Sequence, residues 1–201
     1  MSGTGDLPAV LGRAGLDFHG WHEPDVPYIP PGLAAMAIHF PDVEGRSWSC
    51  VNLTDPDILE KANAGWHRVA LDGGLFDFDK GRPRFLLAVR PEPSSPEAPE
   101  HPEARWAVVG LADPWDLMGA GGETGLLGPD RCRPGFVMLS LDGDVIVCGE
   151  TWQTEIGTVR VRTPRRHRRF LELAQGIAGG VSYQAGAELR GAAAAWLRSL
   201  D

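Results

Sequence analysis

The stretch Phe136-Val-Met-Leu-Ser-Leu-Asp-Gly-Asp-Val-Ile-Val-Cys148 is two short apolar runs broken by Asp142-Gly143-Asp144. Asp-Gly supplies the residue of positive φ that a tight reversal needs, and runs of this composition on either side predict an antiparallel hairpin. Working outward from it, further segments read as strands: Ser47 to Leu53, His67 to Leu71, Arg84 to Val89, Arg105 to Leu111 and Gly157 to Arg162. In the last of these Val159 and Val161 face one way and Arg160 and Arg162 the other, as a half-buried strand requires.

Helical signals are fewer and mostly late. Asp6 to Ala14 reads as a short helix closed by Gly15, and His19 to Gly32, with four prolines, as largely irregular chain. Asp55 can cap a helix that starts at Pro56 and ends at Gly65, and Leu71 to Lys80 suits a looser hairpin around Asp72-Gly73-Gly74. In the C-terminal third, Thr163 reads as an N-cap and Pro164 as a first helical residue. Phe170, Leu173, Ala174, Ile177 and Ala178 then recur at helical spacing up to Gly179-Gly180. A second helix from about Tyr183 places Leu189, Ala193, Trp196 and Leu200 on one stripe. Strands first and helices last predict an α+β fold, a mostly antiparallel β-sheet with two C-terminal helices packed on one face or edge.

The chain has 201 residues, 43% of them hydrophobic and 23% charged, a globular balance that fits a single α+β domain over residues 1–201. Between two predicted strands, Pro91 to Glu103 holds five prolines and four glutamates, which cannot pack a core or join a ladder. It reads as an exposed loop inserted in a long hairpin. No apolar run approaches the roughly 18 to 20 residues that span a bilayer, and Met1 to Gly15 lacks a basic start followed by an apolar stretch. A cytoplasmic location without membrane contact is the expectation. Cys50, Cys132 and Cys148 are odd in number and widely spaced, so neither a disulfide framework nor a structural zinc site is indicated, and no cofactor is expected.

The strongest functional signal is electrostatic. Six of the ten residues from Arg160 to Arg169 are arginine and none is acidic, in a chain of net charge -8. Arg165, Arg166, Arg168 and Arg169 fall in the first turns of the predicted helix, the end where aligned peptide dipoles repel cations. Two compensations are open. The arginines can neutralise the molecule's own carboxylates, Arg168 with Glu172 at i,i+4 among them. Alternatively Arg160, Arg162, Arg165, Arg166, Arg168 and Arg169 form a patch for an acidic protein surface or a phosphorylated small molecule, with Trp152 as an apolar anchor. Trp21 and Trp115 are further candidate interface residues. Nucleic acid is the least favoured partner, because the overall negative charge opposes the approach of a polyanion.

The competing reading is a small β-rich enzyme or ligand-binding protein with a pocket near His19 and His22, metal-dependent if Glu23 joins them. Glu150 is a further candidate for that pocket. Asp77-Phe-Asp79-Lys-Gly81 opens like a calcium loop, but its glycine is misplaced and Ala88 stands where the bidentate glutamate belongs. Gly119 to Gly125 has neither dinucleotide-binding nor P-loop order, and reads as a flexible glycine loop or a flap over a pocket. Cys148 beside Glu150 makes a poor nucleophile, because the carboxylate raises the thiol pKa. The reading that follows is a non-catalytic cytoplasmic interaction protein.

Overall fold

The computed structural model describes residues 7–39, 46–78, 81–91, 103–181 and 185–200, the side chain of Ile38 aside. Seven strands, β1 (Leu16–Trp21), β2 (Ser47–Asn52), β3 (Arg84–Val89), β4 (Arg105–Leu111), β5 (Val137–Leu139), β6 (Val145–Thr151) and β7 (Glu155–Arg162), form one sheet. Their order is β1-β4-β3-β5-β6-β7-β2, and every pairing is antiparallel. The helices are α1 (Leu7–Arg13), α2 (Pro31–Ala35), α3 (Ile58–Gly73), α4 (Arg168–Ala178) and α5 (Ala187–Arg198). The fold is α+β, with α4 and α5 packed together.

The Asp-Gly hairpin forms. Val137, Met138 and Leu139 pair with Cys148, Val147 and Ile146, and Gly143 turns the chain at φ 76°. The Ser140 hydroxyl oxygen accepts from the amides of Asp144 and Val145, which holds the turn closed. Strands β3 and β4 pair from Arg84–Gly110 to Val89–Arg105, so the chain before and after residues 91–103 enters the same sheet. The loop between them lies, apart from its ends, outside the described residues.

Both faces of the sheet are covered. On one, Leu11 of α1 and Trp66 and Ala70 of α3 meet Phe85, Leu87, Val109 and Val147. On the other, Phe170, Ala174 and Ile177 of α4 and Trp196 of α5 meet Leu86, Leu139, Ile146 and Val161. Phe85, Leu86 and Leu87 are therefore all fully buried, which is why β3 reads as a continuous apolar run without alternation.

Four expectations about local structure are corrected. His67 to Leu71 is not a strand but the second half of α3, since Ala62, Trp66, Val69 and Ala70 are buried at helical spacing. Five residues are too few to separate a period of two from one of 3.6. Gly65 does not stop this helix because its bare face sits on β2, where a Cβ would come within 2.3 Å of Ser49 Oγ. Gly74, at φ 82°, ends it instead, and Asp72-Gly73-Gly74 is a helix C-terminus and not a hairpin turn. The stretch from His19 to Gly32, expected to be largely irregular, gives its first three residues to an edge strand, β1, and its last two to α2; β1 has an irregularity between Phe18 and Gly20 that skips His19.

Close packing across the hairpin gives a stability test. A Cβ on Gly149 would stand 2.4 to 2.8 Å from three atoms of the buried Phe136 ring. Gly149→Ala is expected to cost about 1 to 3 kcal/mol through this overpacking, read from urea unfolding.

Candidate functional site

The arginine-rich segment starts on β7. Val161 lies in the core under α4, and Arg160 and Arg162 point to the α3 side of the sheet. Arg160 is half-buried, with its aliphatic stem against the end of α3: a Cβ on Gly73 would meet Arg160 Cδ at 2.4 Å. Burial, and after it the neighbouring Arg162, pull the Arg160 guanidinium below its ordinary pKa, while Asp72 opposes them. Its stem thus covers apolar surface, a role that long cationic side chains fill readily.

The junction that follows differs from the expected N-cap. Thr163 takes a left-handed conformation at φ 47°, gives its amide to Asp144 O at 2.6 Å, and makes no side-chain cap. Pro164–Arg166 is a single 3₁₀ turn, and α4 begins only at Arg168 with His167 at its cap position. His167 Nε2–H donates to Arg162 O at 2.7 Å, which ties the turn back to the strand end. Only Arg168 and Arg169 stand at the unfavourable end of the helix dipole, instead of the four arginines expected.

The six arginines divide into two groups. Arg165 binds Asp144 at 2.9 Å and Arg168 binds Glu172 at 3.5 Å, both near the surface where such pairs contribute little. Arg160 and Arg169 are also engaged within the molecule. Arg162 and Arg166 are exposed and have no ion pair among the described residues. The internal-neutralisation reading thus accounts for part of the cluster and not for these two guanidinium groups.

Exposed apolar side chains occur in two places around the junction. Val26, Pro27, Tyr28, Arg165, Trp196 and Leu200 line a notch of about 190 Å³, with Val26 and Leu200 on its exposed rim. On β2, Trp48 lies beside Val159 of β7 and is 59% exposed, and the Arg46 guanidinium sits 5.3 Å above its ring. Trp152, the expected anchor, is at the other end of β7, half-buried over Gly157 and beside Cys50. The rise of about 3.3 Å per residue over that strand puts it some 20 Å from Arg162. Trp48 was readable as an alternating strand residue; that β2 is an edge was not. Of the other interface candidates, Trp21 is half-buried under Arg105 at 4.7 Å and Trp115 stacks on His67 at 5.4 Å.

His19 and His22 do not converge on a site. His19 is exposed on the edge strand β1, whereas His22 packs edge-on against Tyr28 at 4.4 Å. Its Nε2 is buried without a hydrogen-bond partner, and burial lowers its pKa. Glu23 reaches towards Arg105 at 3.8 Å. Among the described residues no three His, Cys, Asp or Glu side chains cluster so as to hold a metal ion. None of His19, His22, Glu23 and Glu150 lines the larger cleft of the molecule or the notch at Val26 described above, and the two histidines share neither. Asp77 pairs with Arg84, and Asp79 lies outside the described residues. The thiols are not poised to react: burial and, after it, Glu150 raise Cys148 far above its ordinary pKa, and burial is likewise the main cause raising Cys50 and Cys132.

The glycine run is folded into turns, and Thr124 and Gly125 at its end line that larger cleft, of about 690 Å³. Leu117–Gly121 is a π-helical turn whose cap, Asp116, accepts from the amides of Gly119 and Ala120 and from Asn63 Nδ2 at 2.7 to 2.9 Å. A Cβ on Gly121 would meet Leu127 at 2.7 Å, and one on Gly122 would meet Asp130 O at 2.4 Å. These glycines are there because backbone and neighbours approach closely. Compared with known proteins, the chain matches no family model, no curated protein and no solved structure. Function therefore has to be read from its own surface.

Asp116 supplies a pH test of this segment. Burial alone would raise its pKa, but bonds from the Ala120 amide, Asn63 and the Gly119 amide, with Arg131 nearby, hold it below the ordinary aspartate value. A carboxyl depressed on folding stabilises above its unfolded pKa of about 3.9 and loses that contribution as pH falls through its folded pKa. Asp116→Asn is expected to cost about 1 to 3 kcal/mol at pH 7, with the gap to wild type narrowing at about pH 3. Urea unfolding at both pH values checks it; a gap of equal size at the two would count against the assignment.

Proposed function

We propose that this chain is a non-catalytic, cytoplasmic interaction protein that engages an acidic protein surface through the end of β7 and the turn into α4. The observation that carries this reading is that Arg162 and Arg166 are exposed without an ion-pair partner among the described residues, on a chain of net charge -8. An acidic molecule that leaves two guanidinium groups open beside four engaged ones keeps a local field of the opposite sign to its own. That field orients an acidic partner at a distance, and arginine forks then match its carboxylates.

Association driven by charge alone is weak at cellular ionic strength, so an apolar contact has to complete it. The notch at Val26, Trp196 and Leu200 offers an apolar seat next to Arg165, and Trp48, on the face of the sheet opposite Arg162, serves a partner that reaches around the β2 edge. Trp152, at the far end of β7, would take part only with a partner long enough to follow the strand. Three free cysteines, one buried and two at least partly accessible, support a reducing compartment. A phosphorylated small molecule uses the same arginine chemistry and is the alternative occupant.

A fluorescein-labelled peptide of glutamates interrupted by leucine serves as the probe. Saturable binding is expected by fluorescence anisotropy, weakening as salt rises. The double variant Arg162→Glu/Arg166→Glu should lose about tenfold or more in affinity with its melting temperature held, and Trp48→Ala a smaller factor. Unchanged affinity in the double variant would overturn the proposal. Displacement of the peptide by millimolar inorganic phosphate at constant ionic strength would favour the small-molecule occupant.

A further inference from the structure

At the opposite end of the β3–β4 pair the molecule holds a second feature, independent of the arginine junction. Strand β3 runs past the short β5, and beyond its end the surface opens into a cleft of about 690 Å³. This lies within the roughly 300 to 1,000 Å³ typical of small-ligand sites. Its walls come from four parts of the chain: Val10 of α1, Trp21 of β1, Ala35 of α2, and Leu126 and Val137 on the β5 side. Trp21 carries the Arg105 guanidinium on its face, and Leu126 follows the turn capped by Asp116.

Two charged residues stand on the rim. The last rung of the β3–β4 ladder is Val89–Arg105, so Arg90 lies one residue beyond it on one strand and Glu103 two residues before it on the other. Arg90 is exposed and has no ion pair among the described residues; in particular it does not pair with Glu103, although both line the cleft. A cation left open at the mouth of a mainly apolar cleft complements one anionic head on an apolar body. The half-buried Glu103 disfavours a second negative charge on the same ligand.

We infer that this cleft is a binding site for a small amphipathic monocarboxylate, its carboxylate on the Arg90 guanidinium and its apolar body between Trp21, Leu126 and Val137. The guanidinium fork gives two parallel N–H donors to the carboxylate, and the walls remove the body from water. The head decides affinity between a carboxylate and the matching alcohol, and the walls decide it between long and short chains.

Isothermal titration calorimetry of the full chain with decanoate, and in parallel with decanol, tests this. Decanoate should bind saturably with one site, and decanol more weakly. Arg90→Gln should weaken decanoate by about tenfold or more while changing decanol by less than about twofold, because only the charge-assisted bond is removed. Val10→Trp and Ala35→Trp crowd the cleft from two different walls, so that misfolding of one leaves the other informative. Each should abolish both ligands with the circular dichroism spectrum retained. The inference is overturned by absent saturable binding of decanoate to the wild type up to about 1 mM, by equal decanoate affinity in Arg90→Gln, or by undiminished binding in a folded cleft-filled variant.

Discussion

The ladder between β6 and β7 is the constraint on which the other features depend. It runs from Val145–Arg162 to Thr151–Ile156 and sets which side chains of β7 serve each face. Val161 goes under α4 with Ile146, and Arg160 goes under the end of α3 with Val147. A slip of one residue would exchange these sets, placing a guanidinium in the core of α4 and α5 and a valine beside Asp72. The short turn between Thr151 and Glu155, closed by the Trp152 amide donating to Glu155 O at 2.8 Å, sets this register. Because β7 also carries β2, the same ladder positions Trp48 at the sheet edge.

The electrostatic layout follows from where this strand ends. Arg162 is the last residue of β7, and the left-handed Thr163 turns the chain sharply into the 3₁₀ turn before α4. That geometry brings Arg165 back to Asp144, in the turn that began the ladder. It leaves Arg162 and Arg166 facing outward, with no carboxylate within pairing distance among the described residues. Paired and unpaired guanidinium groups are therefore both present among the described residues, sorted by position along the junction.

Much of the architecture was legible in the sequence because the relevant signals are local. Arg84 to Val89 and Arg105 to Leu111 emerge as strands with those bounds, since apolar content and flanking polar residues decide them. The second half of α3 was misread because Gly65 signals a stop when considered alone. Its neighbour, Ser49 of β2, makes it a contact, and that neighbour is remote in sequence. The arginine cluster was visible as composition, but which members are engaged depends on Asp144 and Asp72, brought in by the sheet and by α3. Trp48 and the cleft at Arg90 left no local trace, because exposure at a sheet edge and the overhang of β3 past β5 belong to topology.

The strand order has a temporal side. Both rims of the sheet come from the first quarter of the chain, yet β1 docks on β4 and β2 docks on β7, and Ser47 meets its rung at Arg160. A chain emerging from the ribosome carries β1 unmatched until β4 appears about half-way along, and β2 finds its place only after β7 has appeared. Contacts this distant make closure slow, and they expose the half-made molecule to pairing with its neighbours. Trp48 and Val51, which the finished sheet shows at its margin, are then bare on a nascent strand. For a protein of this topology, chaperone demand during translation follows from the order in which the ribosome delivers its parts.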